Sequence, residues 1–319
     1  MTAHAEPVRH VAGLVLGIDG GGSRCTAVLA EAGSDGVDEL GRGHGGPANA
    51  VSAGFDAAAA NVAAAVAAAF AAAARVPEPV ASACLGFAGA GRLDVRDRWS
   101  AWARGRHLAD RLEVVPDGVS AFGSSGPPAW GLVVVSGTGS IVWGRSLAGD
   151  LHRCGGRGGL IGDEGSGHAV AIAGLRAAVR SADGWGPATA LAEAATRRFA
   201  VADPTDLPAA LAASGMTRGT IASFAPDVVA LAEQGDAEAR RIVAEAAADL
   251  GGQALAVARR LDDRSGEYPL RLTGGLLCHA PLLRDGLVAW LSAAGFAPGS
   301  VTLVPDLALA AANAAARSV

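Results

Sequence analysis

The chain has 319 residues, of which 50% are hydrophobic and 18% charged, enough apolar sequence for about two folded domains, and this composition excludes wholesale disorder. The formal net charge of −5 argues against a sequence-independent grip on nucleic acid, which needs a basic surface. All 26 basic residues are arginines, so P-loop nucleotide binding and Schiff-base chemistry are excluded, because both need a lysine.

Cysteine usage points to buried reduced thiols. The four cysteines are Cys25, Cys84, Cys154 and Cys278. They are widely scattered and form no CxxC pair, so neither a metal site within one chain nor a disulfide framework is expected.

Nothing in the sequence predicts export or membrane insertion. The first thirteen residues lack a basic stretch followed by an apolar one, so no secretory signal is expected. The alanine-rich stretch 57–74 contains Asn61 and is flanked by Asp56 and Arg75, which favours a soluble helix over a membrane span. The expected location is therefore the cytoplasm.

The first third of the chain alternates short apolar runs with glycine turns. A strand over 14–18 stops at Asp19-Gly20-Gly21-Gly22-Ser23, and a second strand over 26–30 follows. A helix over 57–74, a strand over 80–87, a helix near 94–105 and a strand over 112–115 come next. The last of these runs into Pro116-Asp117-Gly118.

The same design returns in the second part. A strand over 132–135 enters Ser136-Gly137-Thr138-Gly139-Ser140, and a strand over 141–143 leaves it. A glycine-rich loop over 154–167, a helix around 168–181, mostly helical sequence over 187–261 and a strand over 269–272 follow. After Thr273-Gly274-Gly275 come a helix, a strand over 301–304 and a C-terminal helix. Alternating strands and helices predict an α/β fold, and the two glycine hairpins suggest a duplicated architecture.

Both hairpins carry residues that suit a phosphate group. Glycine lets backbone N–H groups approach phosphate oxygens, a hydroxyl adds a donor, and Asp19 at a strand end can hold Mg²⁺ through water. Each hairpin alone could equally be an ordinary tight turn. Their occurrence twice in one chain favours two phosphate clamps.

Three further elements each allow a chemical and a structural interpretation, and for Asp117 taken alone the structural one is favoured. Asp117 could accept the proton of an attacking hydroxyl, or simply occupy a turn. Gly274 and Gly275 could let an adenosine lie against backbone, or serve helix packing. The loop 155–167 surrounds Asp163 and Glu164 with glycines, which favours a ligand-contacting loop over a linker.

In this order, the motifs DGGGS, PDG, SGTGS, GDEGSG and TGG resemble the sugar-kinase/actin/Hsp70 superfamily. More narrowly, they resemble the BadF/BadG/BcrA/BcrD ATPase family and its N-acetylglucosamine kinase members, from Asp19 to the C-terminal helix. The resemblance implies two actin-like (RNase H-like) domains with a nucleotide and sugar cleft between them. The expected domains are residues 1–118 plus 304–319, and residues 119–303.

The resemblance also implies roles for individual residues, ATP and Mg²⁺ as cofactors, and an amino sugar as substrate. Asp117 would be the base that activates the sugar 6-hydroxyl, and Asp19 would lie near the metal. The expected nucleotide-binding residues are Gly20, Gly21, Gly22, Ser23, Gly137, Thr138, Gly139, Ser140, Gly274 and Gly275. The expected sugar-binding residues are Asn49, Asp117, Gly156, Arg157 and Asp163.

Arg157 departs from the family pattern, because related N-acetylglucosamine kinases usually have Trp at this position. An arginine there could favour a carboxylate-bearing or differently substituted sugar, so N-acetylmuramic acid and glucosamine stand beside N-acetylglucosamine as candidates. Two other functions remain alternatives: an ATPase activator of a 2-hydroxyacyl-CoA dehydratase, and a non-catalytic sugar sensor. No nucleic-acid or membrane partner is expected, and a homodimer is an expectation from relatives alone.

Overall fold

The computed structural model describes residues 11–34, 36–124, 129–261 and 268–319, and the chain forms two compact units. Unit one comprises Met1–Ala129 and Asp306–Val319, and unit two comprises Trp130–Pro305. The boundaries differ from those expected after residues 118 and 303. Val119–Gly123 form a 3₁₀ helix that packs on the C-terminal helix: a methyl group at Gly123 would lie 2.2 Å from the carbonyl oxygen of Ala310. This segment therefore belongs to unit one.

Within the described residues, three consecutive strands come first in each unit, and the helices and remaining strands follow. The strands are β1 (Val11–Gly20), β2 (Cys25–Ala32), β3 (Val37–Gly45), β4 (Val80–Phe87), β5 (Ala109–Pro116), β6 (Gly131–Ser136), β7 (Ser140–Arg145), β8 (Leu151–Gly155), β9 (Pro269–Thr273) and β10 (Ser300–Leu303). The helices are α1 (Ala50–Ala53), α2 (Phe55–Ala72), α3 (Leu93–Gly105), α4 (Gly167–Ala182), α5 (Leu191–Phe199), α6 (Leu207–Ala212), α7 (Arg218–Ala222), α8 (Ala225–Glu233), α9 (Ala237–Ala258), α10 (Gly275–His279), α11 (Pro281–Ala293) and α12 (Leu307–Ala316). A second 3₁₀ helix spans Pro204–Asp206.

Each unit contains a five-stranded sheet, and the two sheets have the same topology. In unit one the strand order is β3-β2-β1-β4-β5, and in unit two it is β10-β9-β6-β7-β8. In both, three consecutive strands form an antiparallel meander. On its other side the first strand of the meander pairs with a parallel strand, and a second parallel strand pairs with that one. The duplication suggested by the two glycine hairpins is therefore present in the strand order.

Two strands, β3 and β8, are absent from the sequence-based expectation. β3 lies at the edge of its sheet and offers glycine where a buried strand would offer branched apolar residues. Methyl groups at Gly41 and Gly43 would lie 2.3 Å from the Ala69 carbonyl oxygen and 2.0 Å from that of Ala65, both on α2. Glycine at these positions lets α2 pack closely on the strand. Because glycine stands where apolar residues would otherwise alternate, the pattern that identifies a strand is missing.

The alanine-rich helix α2 covers one face of the first sheet. Its buried residues include Val62, Ala65, Ala69 and Phe70, and it packs on β2 and β3. By length and composition alone α2 is apolar enough to cross a membrane, but a helix packed on a sheet passes the same test. The other face of this sheet is covered by α12, where a methyl group at Gly17 would lie 2.2 Å from backbone atoms of Ala308 and Ala312.

The core of unit two is built from long helices against its own sheet. α9 is the central helix: it packs on α8 and α11 and contacts β6, β7 and β8. The core includes Leu132, Val134, Leu250, Leu272 and Leu287, each at most 1% exposed. The parallel strands of each unit end at one sheet edge, which is where ligands bind in open α/β sheets.

Candidate functional site

In unit one the first glycine hairpin closes the reversal from β1 to β2. The N–H of Gly21 donates to the carbonyl oxygen of Arg24 at 2.9 Å. Gly20 is buried, and a methyl group there would lie 2.2 Å from the ring of Phe87. Gly22 and Ser23 are exposed, and no atom lies within 4 Å of the place a methyl group would occupy on Gly22. The tip therefore offers open backbone, as a phosphate clamp requires.

Asn49 is held directly against this hairpin. The carbonyl oxygen of Gly21 accepts from the N–H groups of Ala48 at 2.9 Å and Asn49 at 3.1 Å. The Oδ1 atom of Asn49 accepts from the N–H of Val51 at 3.0 Å, which caps α1. The cap uses only one end of the side-chain amide, so the Nδ2 group can donate to a ligand.

Asp117 follows β5 at the same sheet edge. Its N–H donates to the carbonyl oxygen of Phe87 at 3.1 Å, while the N–H of Ala88 donates to that of Gly20 at 2.9 Å. Gly118 has a φ of +80°, a conformation that favours glycine and turns the chain away immediately after the carboxylate. The structure thus brings Asp19, the first hairpin, Asn49 and Asp117 together at the ends of three neighbouring strands.

The carboxylates of unit one influence one another. The pKa of Asp19 is raised from 3.8 to about 7, chiefly because burial disfavours the charged form and also because Asp117 and Asp306 are negative; Arg24 acts in the opposite direction. Asp306 itself caps α12 and pairs with Arg42, whose Nη2 atom lies 2.6 Å from its Oδ2 atom.

Asp19 has no ready-made metal cage around it. In the part of the chain that the structure describes, no group of three or more His, Cys, Asp or Glu residues could hold a metal ion. Mg²⁺ is usually bound through one or two carboxylates together with waters and substrate phosphates. A buried carboxylate that releases its proton near neutral pH fits that mode of binding.

In unit two the second hairpin joins β6 to β7 and is tied to the glycine-rich loop. The N–H of Gly137 donates to the carbonyl oxygen of Gly139 at 2.9 Å. The hydroxyls of Ser136 and Ser140 donate to the carbonyl oxygens of Gly165 and Glu164, both at 2.7 Å. Ser140 is only 3% exposed and its one hydroxyl proton is used here, so its side chain does not fit the expected role of phosphate donor.

Gly274 and Gly275 lie against the second hairpin. Gly274 has a φ of +92°, and a methyl group there would lie 2.4 Å from the carbonyl oxygen of Ser136. The backbone nitrogen of Gly275 lies 3.6 Å from the position that a methyl group on Gly137 would occupy. The expected grouping of Gly137 with this glycine pair is therefore present within unit two.

A cavity of about 520 Å³ opens beside these glycines. Its walls include Gly137, Thr138, Gly167 and Gly275, and they are continued by residues of α7, α8 and α10. These further residues are Gly219, Ala222, Ser223, Ala225, Pro226, Val229, Ala230, Glu233, Leu276, His279 and Ala280. The volume lies within the range of small-molecule sites, roughly 300–1,000 Å³. The walls are largely apolar, with a few polar side chains at which a base or ribose could be oriented.

Sequence reasoning missed the α7 and α8 walls of this cavity. These helices lie in the alanine-rich stretch 187–261, where helical periodicity is the main signal. The polar residues that line the cavity from this side, Ser223, Glu233 and His279, are exposed and stand in no motif. A cavity wall formed by small residues on helices has no characteristic pattern in a single sequence.

The glycine-rich loop places Asp163 beside the second hairpin. Asp163 is 5% exposed, and its Oδ2 atom lies 3.1 Å from the place a methyl group would occupy on Gly139. Its Oδ1 atom accepts from the N–H of Gly158 at 3.2 Å. Gly156 has a φ of +65°, and Arg157 is exposed on the same loop.

The chain is similar to known proteins over most of its length. The sequence profile of the BadF/BadG/BcrA/BcrD ATPase family matches residues 16–312. The chain belongs to this family. An N-acetylmuramic acid/N-acetylglucosamine kinase of Clostridium acetobutylicum is 32% identical over 208 residues, which cover 65% of this chain and 68% of the relative. An N-acetyl-D-glucosamine kinase of Dictyostelium discoideum is 27% identical over 288 residues, 85% of this chain and 88% of the relative.

A solved structure from Chromobacterium violaceum, provisionally named an N-acetylglucosamine kinase, superposes with a TM-score of 0.71. The superposition covers 93% of this BadF/BadG/BcrA/BcrD family member and 97% of the solved chain, at 26% identity. The predicted actin-like α/β fold is thereby confirmed.

Proposed function

We propose that this ATP-dependent sugar kinase transfers the terminal phosphoryl group of ATP to the 6-hydroxyl of an amino sugar, with N-acetylglucosamine as its first candidate. Family membership and the named kinase relatives support a sugar kinase. The two amino-sugar kinases among those relatives support the choice of sugar. The position phosphorylated and the residue roles below are part of the proposal.

The observation that carries the proposal is the cavity of unit two, built against the second glycine hairpin and the Gly274-Gly275 pair. An adenosine fits its volume and its largely apolar walls. Thr138 and Gly137 line the cavity at the hairpin, where backbone N–H groups and a hydroxyl can meet phosphate oxygens. Bound there, ATP supplies the phosphoryl group and a good leaving group.

In unit one, Asp117 would act as the general base. The hydrogen bond from its N–H to the carbonyl oxygen of Phe87 holds its backbone at the end of β5. A carboxylate placed beside a sugar hydroxyl accepts its proton as the oxygen attacks. Asn49, held on Gly21, would orient the sugar by donating from its side-chain amide.

Asp19 would help to hold Mg²⁺ on the phosphates. Its raised pKa means that near neutral pH a cation competes with a proton for the carboxylate. With Asp19 neutralised in either way, Asp117 is relieved of one of its negative neighbours.

We also propose that the enzyme is cytoplasmic.

A second substrate is favoured by Arg157. This side chain is exposed on the loop that carries Asp163. A guanidinium forms strong, two-pronged hydrogen bonds with a carboxylate, and N-acetylmuramic acid carries a lactyl carboxylate that N-acetylglucosamine lacks. One relative is named for activity on both sugars.

An iron–sulfur activator fits the chain poorly. Cys25 and Cys84 are buried, and Cys154 and Cys278 are half-buried and far apart in sequence. The loop 158–166, where such an activator would carry a cysteine, contains none.

The proposal is tested by an ADP-release screen. Purified protein with Mg-ATP is offered N-acetylglucosamine, glucosamine, N-acetylmuramic acid and plain glucose, and the product is identified by mass and by the position of its phosphate. We expect a 6-phosphate of an amino sugar, and Arg157→Ala should reduce activity on N-acetylmuramic acid more than on N-acetylglucosamine. ADP release that does not depend on any sugar would contradict the proposal.

The role of the base is tested separately. Asp117→Asn keeps the size of the side chain but removes its basicity, so kcat should fall by about 10²–10⁴-fold. Sugar and nucleotide binding should persist in calorimetry. Unchanged turnover would remove Asp117 from the mechanism.

A further inference from the structure

A salt bridge joins the wall of the nucleotide cavity to the glycine-rich loop. The Nη2 atom of Arg218, the first residue of α7, lies 2.5 Å from the Oδ2 atom of Asp163. The side chain of Asp163 is 7% exposed and that of Arg218 is 47% exposed. The acid is therefore fixed inside the unit, while the arginine reaches it from the surface.

The setting of Asp163 makes it dependent on this partner. Its backbone has a φ of +60°, which is unusual for a residue other than glycine and persists only where the surroundings hold it. A buried carboxylate also needs donors to replace water. Apart from Arg218, the N–H of Gly158 at 3.2 Å is the donor described for its side chain.

Arg218 also supports the loop backbone. A methyl group at Gly159 would lie 2.8 Å from its Nη2 atom and 2.9 Å from its central guanidinium carbon. The guanidinium thus packs against the loop where the loop has no side chain. One residue therefore both pairs with Asp163 and packs against the loop that carries Gly156 and Arg157.

The residues that follow Arg218 line the cavity and not the loop. Gly219, Ala222 and Ser223 line the cavity assigned to the nucleotide, whereas the contacts described for Arg218 are to the loop. Arg218 is therefore well placed to affect the sugar-contacting loop without being a nucleotide contact itself.

We propose that Arg218 is a positioning residue for the sugar: it holds the Asp163 carboxylate and the loop 156–163 in their binding arrangement. The inference rests on the proposed function, in which Asp163 contacts the sugar. Arg218 acts through Asp163, so its loss should weaken sugar use and spare nucleotide use.

The experiment compares Arg218→Gln with wild type in steady-state kinetics, with each substrate varied in turn. We expect the KM for the sugar to rise and kcat/KM for the sugar to fall by on the order of 10²-fold, as a small misplacement of a binding group does. The KM for ATP should stay near its wild-type value. The matched control is Arg198→Gln, which breaks another Arg–Asp pair of unit two, to Asp227 on α8, and should behave as wild type.

Two further variants separate positioning from general support of the fold. Arg218→Lys keeps the charge but not the planar fork, so it should restore part of the sugar affinity. It also keeps the test decisive if the glutamine variant does not fold. In a double-mutant cycle, adding Arg218→Gln to Asp163→Asn should cost little more than Asp163→Asn alone, because both changes remove the same interaction.

An unchanged sugar KM in Arg218→Gln, an equal rise in the ATP KM, or additive effects in the cycle would overturn the role of Arg218. In each of these results the wild-type kinase activity stands. Wild-type protein that phosphorylates no sugar would instead remove the proposed function, and this inference with it.

Discussion

Replacing Gly274 with alanine should damage the nucleotide site of unit two directly. At Gly274 φ is +92° and ψ is 148°, a backbone region open almost exclusively to glycine, so another residue there costs about 1–3 kcal/mol. The added methyl would also lie 2.4 Å from the Ser136 carbonyl oxygen and 2.9 Å from the Gly137 nitrogen. These are backbone atoms, so no side-chain rotation relieves the clash, and overpacking of this kind costs roughly 1–3 kcal/mol.

Together the two costs amount to about 2–6 kcal/mol, which in a unit of this size lowers the Tm by on the order of 10 °C. Any part of the strain relieved by moving the second hairpin appears instead as a higher KM for ATP, about tenfold for each 1.4 kcal/mol. Scanning calorimetry and ATP-dependence of the rate measure the two effects. Gly275→Ala is the control for stability, because no atom lies within 4 Å of its added methyl. A Gly274→Ala protein with wild-type Tm and wild-type ATP KM would refute the packing described here.

The remaining predictions concern unit one. Because the pKa of Asp19 is raised to about 7, the folded state holds a proton that the unfolded state releases near 3.8. The stability due to this group is therefore present at acid pH and is lost as pH rises to about 7, so the Tm with EDTA present should fall over that interval. Asp19→Asn should flatten the fall, and an equally steep fall in that variant would assign it to other groups. Gly17→Ala places a methyl 2.2 Å from backbone of α12 and should destabilise by about 1–3 kcal/mol in urea unfolding. Gly22→Ala, with open space around it, should leave the unfolding midpoint near wild type, and equal midpoints for both variants would argue against close packing of α12 on β1.

Much of the fold is readable where apolar runs end in glycine. The strand predicted over 80–87 is confirmed as Val80–Phe87, and the helix predicted near 94–105 is Leu93–Gly105. These elements can be predicted from the sequence because their buried positions require apolar residues and their ends require turn residues. The edge strands β3 and β8 could not be found in this way. β3 has glycine where it packs against α2, and β8 (LHRCG) is a short strand without regular alternation.

The residues of the candidate site likewise differ in whether the sequence predicts them. Asp19, Asn49 and Asp117 are tied to one sheet edge by backbone hydrogen bonds, and the glycine motifs that make those bonds possible are visible in the sequence. Arg218 lies 55 residues from Asp163, and no motif surrounds it. Its partner is set by how α7 packs beside the loop, and tertiary packing of this kind is not encoded in local spacing.

The return of the last helix to unit one bears on the order in which the chain acquires its structure during synthesis. Residues 130–305 of unit two are continuous, so that unit can complete its own core without a segment from elsewhere in the chain. The first sheet, although made earlier, must wait for Leu307–Ala316 to cover the face around Gly17. Until then its apolar surface is exposed, and a nascent chain stopped before residue 307 would be a natural client for chaperones.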